Sequence, residues 1–277
     1  MLRVSGLFIY PVKSCRGLSL DVANVDELGL VGDRRFLVVD ETGKFLTQRT
    51  HARMAQIATA LDAERLTLSA QGAGSVSIAR APDPGAPLRG VTVWKHNDLQ
   101  AEDCGPEAAQ WLSGFLGARL SLVRIGPAFE RNVLKKAGRP GDVFNFADAV
   151  PVLIAGEASL ADLNDCIQEN GGEPVPMDRF RPNIVVSGGA PFAEDDWPTA
   201  RIGDVVLRNA GKSIRCIVTT TDQLTGERGK EPLRTLATYR RDATDPTGVC
   251  FGTNFINETK CGVLRVGAEV VVGGGAV

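Results

Sequence analysis

The chain has 277 residues, of which 43% are hydrophobic and 23% are charged, and its formal net charge is -2. This composition is typical of a globular protein with a buried core, and the near-neutral charge gives no general attraction for nucleic acid or an anionic membrane. No stretch approaches the roughly 18 consecutive apolar residues of a membrane-spanning helix, and the first residues show neither a basic leader nor an apolar signal core. We therefore expect a cytoplasmic protein without nucleic-acid or membrane partners.

The first hundred residues predict mostly β-strands. Short β-branched or aromatic runs are separated by turn residues, and Glu41, Thr42 and Gly43 have the composition of a hairpin turn. Residues 104–118 (CGPEAAQWLSGFLGA) predict the first helix, because a proline stands in its first turn, apolar residues follow at helical spacing, and Gly117 can end it.

The stretch 122–149 mixes charge, glycine and proline without a period and predicts a loop-rich connection. Residues 151–172 predict a strand and then a helix capped near Ser159. The segments NIVVSGG, ARIGDVVLRNAG, SIRCIVTT and GVLRVGAEVVVGG predict further strands. Many short strands with few helices favour a barrel. The sequence therefore predicts a mainly β (α+β) protein with a β-rich domain over 1–120 and a β-barrel domain over 121–277.

The cysteines and histidines argue against a metal site built from clustered side chains. The six cysteines lie far apart and contain no C-x-x-C pair, so no zinc or iron–sulfur ligand set can be read from them. A cytosolic chain of this size also has little need of disulfides. The two histidines, His51 and His96, are too few for a histidine-rich site. The sequence therefore argues against a histidine-rich metal site and a second metal centre.

The run SIRCIVTT, residues 213–220, contains the cysteine with the most informative neighbours. As a strand it places Ile214, Cys216 and Val218 on one face, which turns Cys216 inward. A free cysteine in such a position is most often a packed core residue. Against that, the adjacent Arg215 favours the thiolate that a metal ligand or nucleophile requires, and polar residues follow as they do at the mouth of a site. The residues alone leave both interpretations open.

Polar and cationic residues stand beside backbone-bending residues in several other places. Arginine's planar fork suits a phosphate or carboxylate, and lysine supplies a point charge to the same kind of anion. Solvated surface charge is the simpler interpretation of any one of them. No Walker loop or dinucleotide-binding glycine fingerprint lies near them, so the sequence shows none of the usual motifs for binding ATP or NAD. The residues are Lys13, Ser14 and Arg16 in PVKSCRG, Arg34 and Arg35 in GDRRF, and Arg179, Arg181 and Asn183 in RFRPN. Asp148, which precedes an apolar strand, is either a turn residue or a polar group directed into a pocket.

Together these motifs resemble the MOSC family of molybdenum cofactor proteins, and within it the group around the mitochondrial amidoxime-reducing component and its bacterial relatives. The matching stretches run in family order almost from end to end: YPVKSCRG, GDRRFLVVD, EDCGPEAAQWL, PVLIAGEASLADLN, RFRPNIVVSG, WPTARIGDVVL, RCIVTTTDQLTG, KEPLRTLATYR and FGTNF. The resemblance implies an N-terminal MOSC_N-like domain and a C-terminal MOSC β-barrel, with a molybdenum-pyranopterin cofactor held between them.

The resemblance also implies residue roles. It makes Cys216 the protein sulfur bound to molybdenum, and soft thiolate ligation with an open coordination position suits such a metal. Asp148 falls where family members place an acid close to the open side of the metal, so it is expected to position water or substrate and to assist proton delivery. Asn254 lies in FGTNF, where animal members show FGQYF, and is expected to line the pocket. The residues expected to hold the pterin and its phosphate are Lys13, Ser14, Arg34, Arg181, Asn183 and Arg215.

The implied activity is the reduction of N-hydroxylated compounds, such as amidoximes, hydroxylamines and N-hydroxylated bases, to amines or amidines and water. Electrons are expected from a separate protein, such as a ferredoxin, a cytochrome b5-like protein or a flavin reductase, because the chain shows no cysteine-rich ferredoxin segment. Two alternatives remain on the sequence. One is a non-catalytic carrier of the molybdenum cofactor or of persulfide sulfur, and the other is a structural barrel whose cysteine only packs.

Overall fold

The computed structural model describes residues 1–273, and these residues form a mainly β protein with three α-helices. The helices are α1 (Pro106–Leu116), α2 (Glu157–Glu169) and α3 (Leu233–Tyr239). The strands, in chain order, are β1 (Arg3–Ile9), β2 (Leu18–Leu20), β3 (Val22–Asp26), β4 (Gly29–Leu30), β5 (Phe36–Asp40), β6 (Ala58–Leu61), β7 (Arg65–Ala70), β8 (Gly74–Ala79), β9 (Leu88–Val93), β10 (His96–Asp103), β11 (Leu120–Arg124), β12 (Val152–Gly156), β13 (Ile184–Ser187), β14 (Thr199–Ile202), β15 (Val205–Arg215), β16 (Val249–Asn257), β17 (Gly262–Arg265) and β18 (Val270–Val272). The mainly β (α+β) class expected from the sequence is confirmed.

The largest sheet joins both ends of the chain. Its order is β18-β14-β15-β16-β12-β13-β1-β2, in which β12 and β13 are parallel and the other neighbours are antiparallel. A small sheet, β17-β3-β4, makes a second connection of the same kind. The N-terminal strands therefore share hydrogen bonds with C-terminal strands, while the division of the chain near residue 120 stays a prediction.

Two further sheets lie in the first half of the chain, with the orders β5-β11-β10-β9 and β6-β7-β8. Helix α1 packs Ala108, Leu112 and Phe115 into the core that also contains apolar residues of β7 and β8. It ends at Gly117, which has a left-handed conformation with φ 72°. The helix predicted over 104–118 is confirmed at both ends. No helix among residues 1–273 combines the length and apolar character needed to cross a bilayer.

Two local predictions are wrong, and a third, the loop over 122–149, is wrong for its first three residues, which belong to β11. Helix α2 begins at Glu157 directly after β12, so its N-cap is Gly156 and not the predicted Ser159. The buried Ser159 hydroxyl instead donates to the carboxylate of Glu194 at 2.9 Å and accepts from the backbone N–H of Phe192 at 2.7 Å. The hydroxyl of a serine in the first turn of a helix can form hydrogen bonds with distant groups as readily as with the backbone of its own helix. Because Ser159 is buried beside Glu194, its hydroxyl binds that carboxylate instead of capping the helix.

The second correction concerns the strand around Cys216. Strand β15 ends at Arg215, and Ile217–Thr220 form a single turn of 3-10 helix. Ile214, predicted to face inward, is 51% exposed, whereas Thr219, predicted to lie on the opposite face, is 1% exposed, so the predicted alternation does not continue through this segment. Cys216 therefore lies at a bend between a strand and a tight turn, partly exposed, rather than within the core.

Candidate functional site

The residues that the family resemblance assigns to the site meet in one cavity, whereas Arg16, Arg35 and Arg179 of the same basic motifs do not line it. The cavity has a volume of about 290 Å³ and takes its lining from segments that are far apart in the chain. All nine predicted site residues line it: Lys13, Ser14, Arg34, Asp148, Arg181, Asn183, Arg215, Cys216 and Asn254. This convergence is a structural fact, while the role of each residue stays a prediction.

Cys216 reaches the cavity because the chain turns immediately after it. Its carbonyl oxygen accepts hydrogen bonds from the backbone N–H and the hydroxyl of Thr219, both at 3.0 Å, which fixes the turn. Among residues 1–273 no group of three or more histidine, cysteine, aspartate or glutamate side chains could hold a metal ion. A metal at Cys216 would therefore need ligands other than a cluster of these side chains.

Arg215 places a partly buried cation next to the thiol. Its Nη1 donates to Ser213 Oγ at 2.8 Å and its Nη2 donates to the Phe180 carbonyl at 2.6 Å. Burial lowers the pKa of Arg215, and the neighbouring Cys216 opposes that shift. The Nε of Arg215 is buried and has no hydrogen-bond partner within residues 1–273. This N–H is therefore a donor that a bound group can satisfy.

Two more arginines enclose the ring of Tyr10. The guanidinium carbons of Arg34 and Arg181 lie 4.3 and 4.2 Å from the ring centroid. Burial raises the pKa of Tyr10 to about 12, although the two arginines oppose the shift, so the phenol stays neutral and donates to the Pro182 carbonyl at 3.1 Å. Arg181 Nη2 is buried without a partner in the described part of the chain. The stack therefore fixes two cations and leaves one N–H free.

Asn183 supports Arg34. Its Oδ1 accepts from Arg34 Nη1 at 3.0 Å and from the backbone N–H of Leu153 at 3.2 Å, and its Nδ2 donates to the Phe8 carbonyl at 3.2 Å. The side chain is 1% exposed. These bonds occupy the amide, so Asn183 can help a bound group by holding Arg34 in place.

The other two polar residues predicted to line the cavity have free atoms. Ser14 is 8% exposed, and its hydroxyl makes no hydrogen bond within residues 1–273. Asn254 lies in β16, and its Nδ2 donates to the Lys212 carbonyl at 3.1 Å. Both side chains therefore present oxygen atoms to the cavity.

Backbone strain is concentrated at this site. Six non-glycine residues among 1–273 have a positive φ, and three of them line the cavity: Ser14 at 68°, Arg34 at 44° and Arg181 at 55°. A fourth, Trp94 at 55°, contacts Asp148. Side chains other than glycine rarely adopt this region, and such residues cluster at functional sites, where the surrounding structure holds them.

The loop that carries Asp148 is fixed by buried polar contacts. Arg131, which is 1% exposed, donates through Nη1 to the carbonyls of Asn145 at 2.8 Å and Ala147 at 2.6 Å. Asn145 Nδ2 in turn donates to the backbone carbonyl of Asp33 at 2.8 Å. These contacts join the loop before β12 to the segment that carries Arg34 and place Asp148 at the cavity.

Asp148 is an ionised carboxylate. Desolvation by the surrounding protein raises the pKa of Asp148, although 52% of its side chain is exposed. The charges of Lys13 and Arg49 and the hydrogen bonds from Lys13 and Trp94 outweigh desolvation and hold the pKa well below its usual range. Lys13 Nζ forms an ion pair with Asp148 Oδ1 and donates to the Phe146 carbonyl at 2.8 Å. Burial lowers the pKa of Lys13 to about 8, and Asp148 opposes the shift. Lys13 therefore holds the titratable proton of this pair near neutral pH.

We expect Asp148→Asn to lower the pKa of Lys13 further below about 8, because the carboxylate that favours the charged ammonium is removed while the burial remains. NMR titration of protein labelled with nitrogen-15 at lysine measures this directly, and Lys13→Met assigns the signal. An unchanged or higher midpoint in Asp148→Asn would show that the carboxylate does not control the ammonium.

The charge of the cavity suits an anion. Among its described lining residues, one is a carboxylate, Asp148, and six are cations: Lys13, Arg34, Arg49, Lys135, Arg181 and Arg215. Arg49 and Lys135 were not found from the sequence, because neither stands in a recognisable motif. The unpartnered Arg181 Nη2 and Arg215 Nε add donors to this positive field. A thiol surrounded by cations fits a cofactor that carries a phosphate and a sulfur-ligated metal.

Comparison with known proteins identifies the family. Residues 1–119 match the family described as the MOSC N-terminal beta barrel domain, and residues 141–271 match the MOSC domain. The chain is 37% identical over 284 residues to mitochondrial amidoxime-reducing component 1 of Mus musculus, covering 96% of this chain and 81% of the mouse protein. It belongs to the MOSC-domain family. The resemblance inferred from the motifs is confirmed.

Other members of the MOSC-domain family match over the same length of this chain. The amidoxime-reducing component 1 of Homo sapiens is 36% identical over 286 residues, which cover 96% of this chain and 82% of the human protein. A molybdenum cofactor sulfurase of Arabidopsis thaliana is 30% identical over 287 residues, which cover 96% of this chain but 35% of the plant protein. Both matched regions contribute to the cavity, since Lys13, Ser14 and Arg34 lie in the MOSC N-terminal region and the MOSC domain supplies Cys216.

Proposed function

We propose that this protein is a molybdenum-cofactor-dependent reductase that converts N-hydroxylated compounds into amines or amidines and water. The observation that carries the proposal is the convergence of the Cys216 thiol with buried and partly buried cations in one cavity. The names of the animal relatives, which are amidoxime-reducing components, support the same class of substrate. The reaction is assigned to the cavity and not to the fold, because the same fold can serve different functions.

The proposed cofactor-binding residues are those with free donors or fixed charges. Cys216 would be the protein ligand of the metal, and Arg181 Nη2 and Arg215 Nε would donate to anionic atoms of the pterin. Ser14, Arg34 and Lys13 line the same cavity, and Asn183 holds Arg34 in place. When bound, the molybdenum cofactor supplies the two-electron redox chemistry of the reduction.

We propose that Lys13 and Asp148 have different roles: Asp148 positions the substrate and Lys13 supplies a proton. The ionised Asp148 can accept a hydrogen bond from the N–OH or N–H group of a substrate, which orients the substrate in the cavity. Lys13, with its pKa lowered to about 8, can hold a proton at Nζ for release during the reaction. This assigns proton delivery to the ammonium of the pair and substrate positioning to the carboxylate.

We also propose a separate electron-donor protein and a cytoplasmic location. The sequence has no C-x-x-C pair that would hold an iron–sulfur centre, so the electrons would come from another protein. Candidates are a ferredoxin, a cytochrome b5-like protein or a flavin reductase. The location is proposed from the first residues of the sequence, which show neither a basic leader nor an apolar signal core, while the animal relatives are by name mitochondrial.

Turnover by the cofactor-loaded protein tests the function. With reduced methyl viologen as the electron source, we expect benzamidoxime to be converted into benzamidine at a rate proportional to the molybdenum content. Absence of turnover with molybdenum confirmed in the protein would contradict the reductase. Transfer of the outer sulfur of a Cys216 persulfide to an acceptor, without reduction of the N-hydroxylated compound, would instead support the persulfide-carrier alternative.

A further inference from the structure

Two side chains from the first half of the chain, Trp94 and Arg49, contact the Asp148 carboxylate. We propose that they are positioning residues, here called the clamp, which fix Asp148 in the orientation that receives an N-hydroxylated substrate. The substrate in this inference rests on the proposed function. The positioning role of Trp94 and Arg49 goes beyond the proposed function, because neither residue belongs to a motif of the sequence.

The clamp binds both oxygens of the carboxylate. Trp94 Nε1 donates to Asp148 Oδ1 at 3.1 Å, and Arg49 Nη2 lies 3.4 Å from Oδ2. The guanidinium carbon of Arg49 lies 4.4 Å from the centroid of the Trp94 ring, so the two residues also stabilise each other through a cation–π contact. A carboxylate that is contacted at both oxygens loses rotational freedom, with the Trp94 hydrogen bond as the closer of the two contacts.

The clamp is fixed independently of Asp148. Trp94 lies in the connection between β9 and β10 with φ 55°, and its ring packs edge-on against Phe45 at 4.9 Å between centroids. The backbone N–H of Thr92 donates to the Gly43 carbonyl at 2.9 Å and ties this hairpin to the turn that precedes Phe45. A tryptophan in the left-handed region requires such support, so the strain is maintained by packing that belongs to the first half of the chain.

Asp148 needs external support. Its side chain is 52% exposed, and it lies in the connection between β11 and β12. Lys13 contacts only Oδ1, while Arg49 provides the described contact to Oδ2. Arg49 also lines the cavity, whereas Trp94 does not, so Trp94 can influence a substrate only through Asp148 and Arg49. In this proposal the clamp acts by orienting Asp148.

A double-mutant cycle tests this coupling. Trp94→Phe removes the N–H donor but keeps a ring for Arg49 and Phe45. With benzamidoxime and reduced methyl viologen, we expect it to lower kcat/KM by about tenfold, the scale of one hydrogen bond to a charged group. In an Asp148→Ala background the same change is expected to alter kcat/KM by less than about twofold, because the acceptor is already absent.

Matched controls separate positioning from general packing. Trp111→Phe makes the same chemical change and removes one hydrogen bond, from Trp111 Nε1 to the Ala73 carbonyl at 2.8 Å, at a residue that does not line the cavity. It is expected to leave kcat/KM unchanged. Arg49→Met is expected to lower kcat/KM, and Arg49→Lys is expected to recover part of the loss because it restores the charge without the planar fork.

Urea unfolding of the cofactor-free protein provides a readout that does not depend on turnover. The loss of stability caused by Trp94→Phe is expected to shrink in the Asp148→Ala background, which demonstrates coupling between the two side chains. Equal losses in both backgrounds, in kcat/KM or in unfolding, would overturn the clamp. If the wild-type protein reduces no N-hydroxylated compound, the proposed function fails while the unfolding cycle alone still decides whether Trp94 holds Asp148.

Discussion

Replacing Cys216 with serine is expected to lower the turnover of benzamidoxime at least about a hundredfold and to deplete the purified protein of molybdenum. Loss of the contacts that support a metal ligand reduces metal affinity or activity by about tenfold to a hundredfold. The upper end of that range is therefore the smallest effect expected when the ligand itself is lost. A hydroxyl is a harder and far less acidic donor than a thiol. Because Cys216 is the one cysteine among the described lining residues, no other thiol of the cavity can replace it.

The measurement is molybdenum content by elemental analysis, combined with the methyl viologen assay. Cys261→Ser is the matched control, since Cys261 is exposed and does not line the cavity. It is expected to retain the wild-type metal content and rate. Wild-type molybdenum and turnover in Cys216→Ser would show that the thiol is not the metal ligand.

Asp33→Ala is expected to destabilise the protein by about 3–5 kcal/mol, the usual consequence of leaving one partner of a buried ion pair without the other. The side chain of Asp33 is fully buried, and its Oδ2 lies 2.7 Å from Arg34 Nη1. Its Oδ1 accepts from the backbone N–H of Tyr10 at 2.8 Å. The substitution therefore leaves a buried guanidinium and a buried N–H without this acceptor, beside the stack that holds Arg34 and Arg181.

The free energy of unfolding in urea measures this effect, and Glu41→Ala is the control. The ion pair between Glu41 and Arg119 has side chains that are 65% and 84% exposed, and exposed pairs contribute about 1 kcal/mol or less. A destabilisation by Asp33→Ala no larger than that of Glu41→Ala would show that the buried pair does not support the site.

The elements with clear periodicity were predictable from the sequence. Helix α1 has its apolar residues at helical spacing and a glycine immediately after it, and both signals depend on local geometry alone. Strands β7 and β8 likewise follow from a run of alternating residues broken by glycine. Local patterns therefore identified the elements whose structure is decided locally.

Strand β16 was missed for a physical reason. All nine of its residues are buried, so the sequence shows no alternation of apolar and polar side chains. It also contains Gly252 at φ 70°, beside polar Thr253 and Asn254. Only its position inside the large sheet explains why such a segment is a strand. The end of β15 at Arg215 is decided in the same way, by the turn that Thr219 closes.

The residues of the candidate site that lie in family motifs were predictable from the sequence. The residues that support them from outside these motifs were not. The family motifs indicated Cys216 and the basic residues that line the cavity with it. No motif indicated Arg49 or Trp94, because their contacts to Asp148 depend on packing between segments that are about fifty residues apart in the chain or more. The positive φ of Ser14, Arg34 and Arg181 could not be predicted from the sequence either, because contacts in the folded cavity impose it.

X-ray absorption at the molybdenum edge tests the central claim most directly, because it reports the atoms bound to the metal. We predict that molybdenum in the cofactor-loaded wild-type protein has one more sulfur ligand than the molybdenum that Cys216→Ser retains after loading with excess cofactor, while Cys261→Ser gives the wild-type spectrum. The same number of sulfur ligands in the wild type and in Cys216→Ser would contradict the account, since the metal would then not be bound to the thiol on which the proposed function depends.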